Sequence, residues 1–141
     1  MVMTLEADYA VRIVDALARS EGRIDAHTIS AQTQVPLRFA LKILRKLVAG
    51  GIIVSYKGAK GGYSLARGPE KITLRQVIES VEGPYMLSRC QQDAYSCSHT
   101  PSCRFQDIYD SISLLVRAKL DSYTFASLEV APHACHKGEK T

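Results

Sequence analysis

One stretch limits the possible folds of this chain more than any other: Lys57-Gly-Ala-Lys-Gly-Gly62, a glycine-rich basic loop between the β-rich run Ile52 to Tyr56 and the short run Tyr63-Ser64-Leu65. Two such runs around a turn-forming loop predict a hairpin. The rest of the patterned sequence has helical spacing, which makes the expected class mainly α with one small β-hairpin.

The helical segments can be placed in order. Leu5, Tyr9, Ile13 and Leu17 recur every four positions between Thr4 and Arg19, with Thr4 as N-cap and Gly22 as stop. Asp25 can cap a short second helix that runs through Ile29 to about Thr33. A turn at Gln34-Val35 leads to Pro36, expected in the first turn of a third helix that ends at Gly50-Gly51. After the hairpin, Thr73 starts a helix through Leu74, Val77, Ile78 and Val81, stopped by Gly83-Pro84. Phe105, Ile108, Ile112, Leu115 and Leu120 are expected on one face of a last, long helix.

Helix, short helix, turn, helix, hairpin is the order of a winged helix-turn-helix. On the third helix, Leu37, Ala40, Ile43, Leu44 and Leu47 form an apolar stripe, while Arg38, Lys42 and Arg45 fall at i, i+4 and i+7 on the opposite face. Charged faces of single helices are commonly just solvated. A basic face on the second helix of such a unit also suits a DNA groove. The hairpin adds Lys57 and Lys60 on a glycine-rich loop flanked by Tyr56 and Tyr63, and helix and wing together point to DNA binding. A phosphate loop of a nucleotide-binding enzyme is the competitor. However, the stretch lacks the Gly-x-x-x-x-Gly-Lys-Ser/Thr spacing and leads into a strand rather than a helix.

The chain of 141 residues is 46% apolar and 23% charged, the balance of one globular domain. Its net charge of +4 is compatible with nucleic acid. No apolar run approaches the ~18 residues of a membrane span. Glu6, Asp8, Arg12 and Asp15 interrupt the first apolar pattern, unlike a signal peptide, so a cytoplasmic protein without membrane association is expected. In a reducing compartment, four cysteines serve more often as ligands or sensors than as disulfides.

Three of them stand in Cys90-Gln-Gln-Asp-Ala-Tyr-Ser-Cys97-Ser-His-Thr-Pro-Ser-Cys103, a polar segment with too few apolar side chains to bury thiols for packing. The gaps are wider than those of the usual zinc pairs. His99 lies near, but nothing orients it as the base of a catalytic thiol, so no enzyme is expected. Soft thiolates at loose spacing suit an iron–sulfur cluster; a zinc site, a thiol switch or unligated cysteines remain as alternatives. Cys135, in a Cys/His-containing tail, is expected to bind metal only adventitiously or to have no role.

The segment Asp8-Tyr9-Ala10-Val11, the wing from Lys57 to Tyr63, the run Thr73-Leu-Arg-Gln-Val-Ile78 and the cysteine trio resemble the IscR/NsrR (Rrf-type) family of bacterial winged-helix iron–sulfur transcription regulators, over roughly residues 1–128. The resemblance implies a homodimer on palindromic double-stranded DNA. Residues 1–83 would form the DNA-binding head, 84–103 the cluster-binding loop and 104–128 the dimerisation region; beyond the resemblance, the terminal stretch 129–141 is expected to be a disordered tail. Arg38 and its neighbours on the third helix would enter the major groove, and Lys57 would contact DNA from the wing.

It also implies the ligands. The IscR branch places a histidine three positions after the third cysteine, where this chain has Gln106, which argues against a histidine-ligated 2Fe-2S cluster. The NsrR branch binds a 4Fe-4S cluster with an aspartate from the partner's first helix, a position matched by Asp8. Cys90, Cys97, Cys103 and Asp8 are therefore the expected ligands, 4Fe-4S the favoured cluster and 2Fe-2S the alternative. His99 is the reserve fourth ligand. The plain alternative for Asp8 is an ion pair with Arg12 at i+4. Glu6 is expected to affect neither the cluster nor its coupling to DNA. The reading that results is a repressor controlled by a cluster that senses nitric oxide, redox state or iron supply. The rival is a cluster-free thiol or zinc protein with a redox or interaction role.

Overall fold

The computed structural model describes residues 2–88 and 103–127. The elements, in order, are α1 (Leu5–Arg19), α2 (Ala26–Thr33), α3 (Leu37–Ala49), β1 (Ile53–Tyr56), β2 (Gly62–Leu65), a short 3-10 turn (Pro69–Lys71), α4 (Leu74–Glu82) and α5 (Arg104–Asp121). This is the winged helix-turn-helix order followed by a long helix. No helix among the described residues is long and apolar enough to cross a membrane.

Helix α1 starts where the Thr4 hydroxyl accepts a hydrogen bond from the Ala7 amide (3.2 Å). Its buried face is Ala7, Ala10, Ile13, Val14 and Leu17, so of the pattern Leu5, Tyr9, Ile13 and Leu17 the last two lie on it. A helix has about 3.6 residues per turn, so strict steps of four drift round it by roughly 40° each. Leu5 is consequently exposed and Tyr9 half-buried. The small residues Ala7 and Ala10 let α1 approach its neighbours closely.

Asp25 caps α2 by accepting from the Thr28 amide at 2.7 Å, and this bond holds its carboxyl below the usual range. Helix α2 ends at Gln34, whose φ of 56° puts a non-glycine residue in the left-handed region. The turn is secured by Val35, which is buried and whose carbonyl accepts from the Ser30 hydroxyl at 2.6 Å. Pro36 is the N-cap of α3, one position before the first turn in which it was expected. Of the expected inward stripe, Ala40, Ile43, Leu44 and Leu47 are fully buried, while Leu37, at the helix's first turn, is only half-buried.

Strands β1 and β2 pair antiparallel, with Ile53 opposite Leu65 and Tyr56 opposite Gly62. The segment before α2 joins them: the Ile24 amide donates to the Tyr63 carbonyl at 3.0 Å, and the Tyr63 amide donates back to the Ile24 carbonyl at 2.8 Å. That approach requires Gly62. Its φ is 142°, and a Cβ there would lie 2.7 Å from the Ile24 carbonyl oxygen.

A capping box formed by Thr73 and Gln76 starts α4. The single core lies between α1, α3, α4 and the base of the hairpin, and Phe125, which follows α5, belongs to it. The return segment bonds to the head through Leu74 N–H to Tyr123 O (3.0 Å) and Phe125 N–H to Ile72 O (3.1 Å). On α5, Phe105, Ile108, Ile112 and Leu115 are exposed, as is Leu114. Leu120 leaves that expected face and packs against the core, because five residues past Leu115 is about 140° further round the helix.

Candidate nucleic-acid interface and cysteine segment

The cations expected at a DNA surface stand on α3 and the hairpin. Arg38, Lys42 and Arg45 are all exposed, on the side of α3 opposite its buried stripe. The lysines of this helix are not equivalent to its arginines. Lys42 Nζ lies 2.5 Å from one carboxylate oxygen of Glu6, and Lys46 Nζ lies 2.7 Å from the other. Hydrogen bonding from Lys42, then from Lys46, lowers the Glu6 carboxyl from 4.5 to about 2. Glu6 therefore clasps the first turn of α1 to α3 and draws Lys42 toward itself. Sequence spacing did not reveal this bridge, which joins residues 36 and 40 positions apart.

On the hairpin, the Gly61 amide closes the loop by donating to the Gly58 carbonyl at 2.9 Å, leaving Lys57 and Lys60 exposed at the tip. Tyr56 is half-buried. Its ring carries the guanidinium of Arg23, with Cζ 3.5 Å from the ring centroid. Arg23 also reaches the Lys60 carbonyl at 3.5 Å. Arg23 is the second residue that the sequence reading missed. In the linear sequence it only follows a helix stop; the bridge from Ile24 to Tyr63 brings it to the wing. Arg67, by contrast, is spent on structure: it donates to the Gly51 carbonyl (2.9 Å), the Lys71 carbonyl (3.1 Å) and the Gln76 side chain (3.0 Å).

Of the expected cluster ligands, Cys90 and Cys97, with His99 and Cys135, lie outside the described residues. Cys103 is half-buried, unpaired by disulfide and the N-cap of α5, where its side chain makes no capping bond. Asp8 forms an ion pair with Arg12 at 2.7 Å, its plain alternative. Among the described residues no three potential metal-binding side chains gather. The segment leading toward Cys90 is held by α5. The Leu87 amide donates to the hydroxyl of fully buried Ser113 at 3.0 Å, and Arg117 Nε donates to the Tyr85 carbonyl at 2.8 Å.

Residues 3–130 match the family model described as Rrf2, iron-dependent transcriptional regulator. The chain belongs to the Rrf2 family. Among Rrf2-family relatives, Protein rrf2 of Nitratidesulfovibrio vulgaris is 25% identical, over 96% of this chain and all of that protein. The structure resembles that of CymR, the global cysteine regulator of B. subtilis, with a TM-score of 0.72 at 25% identity over 91% of this chain and 95% of that one. IscR of T. potens shares the fold, with a TM-score of 0.70 at 20% identity over 94% of each chain. The protein is accordingly an Rrf2-type transcription regulator with a winged-helix DNA-binding fold, in a family of regulators rather than enzymes.

Proposed function

We propose that this Rrf2-family regulator is a cytoplasmic homodimeric repressor that reads palindromic duplex DNA and whose affinity is set by an iron–sulfur cluster. The observation that carries the reading is the cysteine trio, placed between the DNA-binding head and α5, with Cys103 free at the start of that helix. Thiolates at Cys90, Cys97 and Cys103 are soft donors suited to iron, and the Cys103 side chain has no capping bond to give up. Asp8 of the partner subunit is the proposed fourth ligand. Freeing it from Arg12 costs about 0.3–0.5 kcal/mol, the size of an exposed i,i+4 pair. We favour a 4Fe-4S cluster, since Gln106 stands where a histidine-ligated 2Fe-2S site needs its histidine. When bound, the cluster supplies a centre that nitric oxide, oxidants or iron shortage can alter.

The chain's own residues would do the rest. Arg38 and Arg45 on α3 and Lys57 and Lys60 on the wing engage the duplex, joined by Lys42 once it leaves Glu6, with Tyr56 beside them. A change at the cysteine segment shifts α1 of the other subunit and with it the spacing of the two heads, to which a dimer reading two half-sites is sensitive. The segment between α4 and α5 and the α5 face serve as sensor and dimerisation regions. A second reading, a thiol switch without a cluster, draws support from the free Cys103.

Anaerobic purification separates the two. Iron and acid-labile sulfide near one cluster per subunit, lost in Cys97→Ala but retained in Cys135→Ala, supports the first. A colourless protein that cannot be reconstituted, or full cluster retention in Cys97→Ala, refutes it. Asp8→Ala with wild-type spectrum and cluster lifetime would return Asp8 to Arg12 and make His99 the residue to test.

A further inference from the structure

We propose that Arg23 is a phosphate-contacting residue of the DNA interface, and that Tyr56 acts as its platform rather than as a DNA contact itself. The inference rests on the winged-helix reading above and adds a residue that neither α3 nor the wing loop contains. Its basis is the way Arg23 is held. The backbone of the next residue is fixed by two hydrogen bonds between Ile24 and Tyr63, so the Arg23 Cα moves with the hairpin. Its guanidinium lies over Tyr56, Cζ 3.5 Å from the centroid, and one nitrogen reaches the Lys60 carbonyl. Stacking uses the flat face of the guanidinium and leaves its in-plane N–H groups available, and a phosphate oxygen pair matches that edge.

Lack of a carboxylate partner separates Arg23 from several other cations of the molecule. Arg12, Arg19, Lys42, Lys46 and Arg75 are each paired with a carboxylate. Among the described residues Arg23 makes no salt bridge, so its full charge is presented. It reaches the hairpin at Tyr56 and Lys60, whose loop also carries exposed Lys57, and cations gathered there suit a polyanion. A long flexible side chain held by a ring and a carbonyl also loses less freedom on binding than a free one.

The phosphate contact is independent of base sequence, so the probe is a mixed-sequence duplex of about 30 base pairs, titrated with the full-length protein at several salt concentrations. Arg23→Ala should weaken binding about three- to tenfold at low salt and reduce the slope of log affinity against log salt by about 0.9. Arg23→Lys should keep the slope and lose part of the affinity, since the charge remains and the fork does not. Tyr56→Leu removes the ring face and should lose as much as Arg23→Ala. The double variant should be no weaker than either single one. Unchanged affinity and slope in Arg23→Ala would overturn the proposal. So would losses in Arg23→Ala and Tyr56→Leu that add, since Tyr56 would then be a contact in its own right. A wild-type protein that bound no duplex would instead refute the DNA-binding reading on which the proposal rests.

Discussion

Helices α3 and α5 are both amphipathic, but different forces hold them to the rest of the molecule. Helix α3 sinks Ala40, Ile43, Leu44 and Leu47 into the core. On α5 the one fully buried residue is Ser113, and apart from Leu120 against the core the attachments are polar: Ser113 to Leu87, Arg117 to Tyr85, and Asp121 to Thr73 and Arg75 at 3.1 and 2.7 Å. The carboxylates of Asp121 and Glu79 accordingly hold the Arg75 guanidinium more firmly in its charged form. Meanwhile Phe105, Ile108, Ile112 and Leu115 face outward, and Leu115 is 69% exposed. A helix that buries its apolar face within its own chain serves as the frame for a reading surface. One that leaves such a face outside is built to meet another surface, in the proposed assembly a second copy of itself.

The largest effect should come from the buried side. Leu47→Ala removes a fully buried side chain between α3 and the core and should cost about 2–5 kcal/mol in urea unfolding. A loss below about 1 kcal/mol would mean that α3 is not held by its core face.

The next should come from the exposed side. Leu115→Asp should leave the helical circular dichroism of the head intact while raising the dimer dissociation constant roughly a hundredfold, the size of a central interface contact. Sedimentation equilibrium reads this directly. An undisturbed dimer would remove α5's apolar face from the comparison.

Ser113→Ala tests the polar tether. It withdraws the acceptor of the Leu87 amide and should destabilise by about 1–2 kcal/mol, with faster amide exchange at Leu87. If the cysteine segment binds a cluster, its lifetime should shorten as well. Wild-type exchange at Leu87 would show that this hydrogen bond does not secure the segment.

The smallest effect concerns the bridge that supplements α3's core contacts. Glu6 titrates near 2 when folded, against an ordinary value of 4.5. With the folded value depressed, the unfolded chain takes up the proton first on acidification. The bridge's contribution is therefore complete above about pH 5 and is lost between pH 4.5 and 2. Because the groups are partly exposed, the contribution is small. Comparing urea midpoints at pH 6 and pH 3, wild type should lose more than Glu6→Gln. Equal losses in both proteins would show that the bridge carries none of the acid sensitivity.

Most elements were legible before any coordinates, for local reasons. Thr4, Asp25 and Thr73 cap the helices they precede, because an N-cap oxygen satisfies amides within three residues. The glycine-rich loop turned the chain back into a hairpin because its geometry is settled between adjacent residues. The candidate site was legible to the same depth: Arg38 and Arg45 follow helical spacing, and Lys57 and Lys60 mark the loop. Illegible were the partners of these residues. Nothing in the linear pattern pairs Glu6 with Lys42 and Lys46, sets Arg23 over Tyr56, or sends Leu120 inward while Leu115 stays outside.

Spacing and capping chemistry, which act over a turn or two of chain, were enough to determine the helix order, the hairpin and the outward cations of α3 and the wing loop. Only the folded chain decided which of those cations are paired with a carboxylate and which are not. Ion pairs and stacked rings form between elements tens of residues apart, and their geometry follows from how the core brings α1, α3 and the hairpin together.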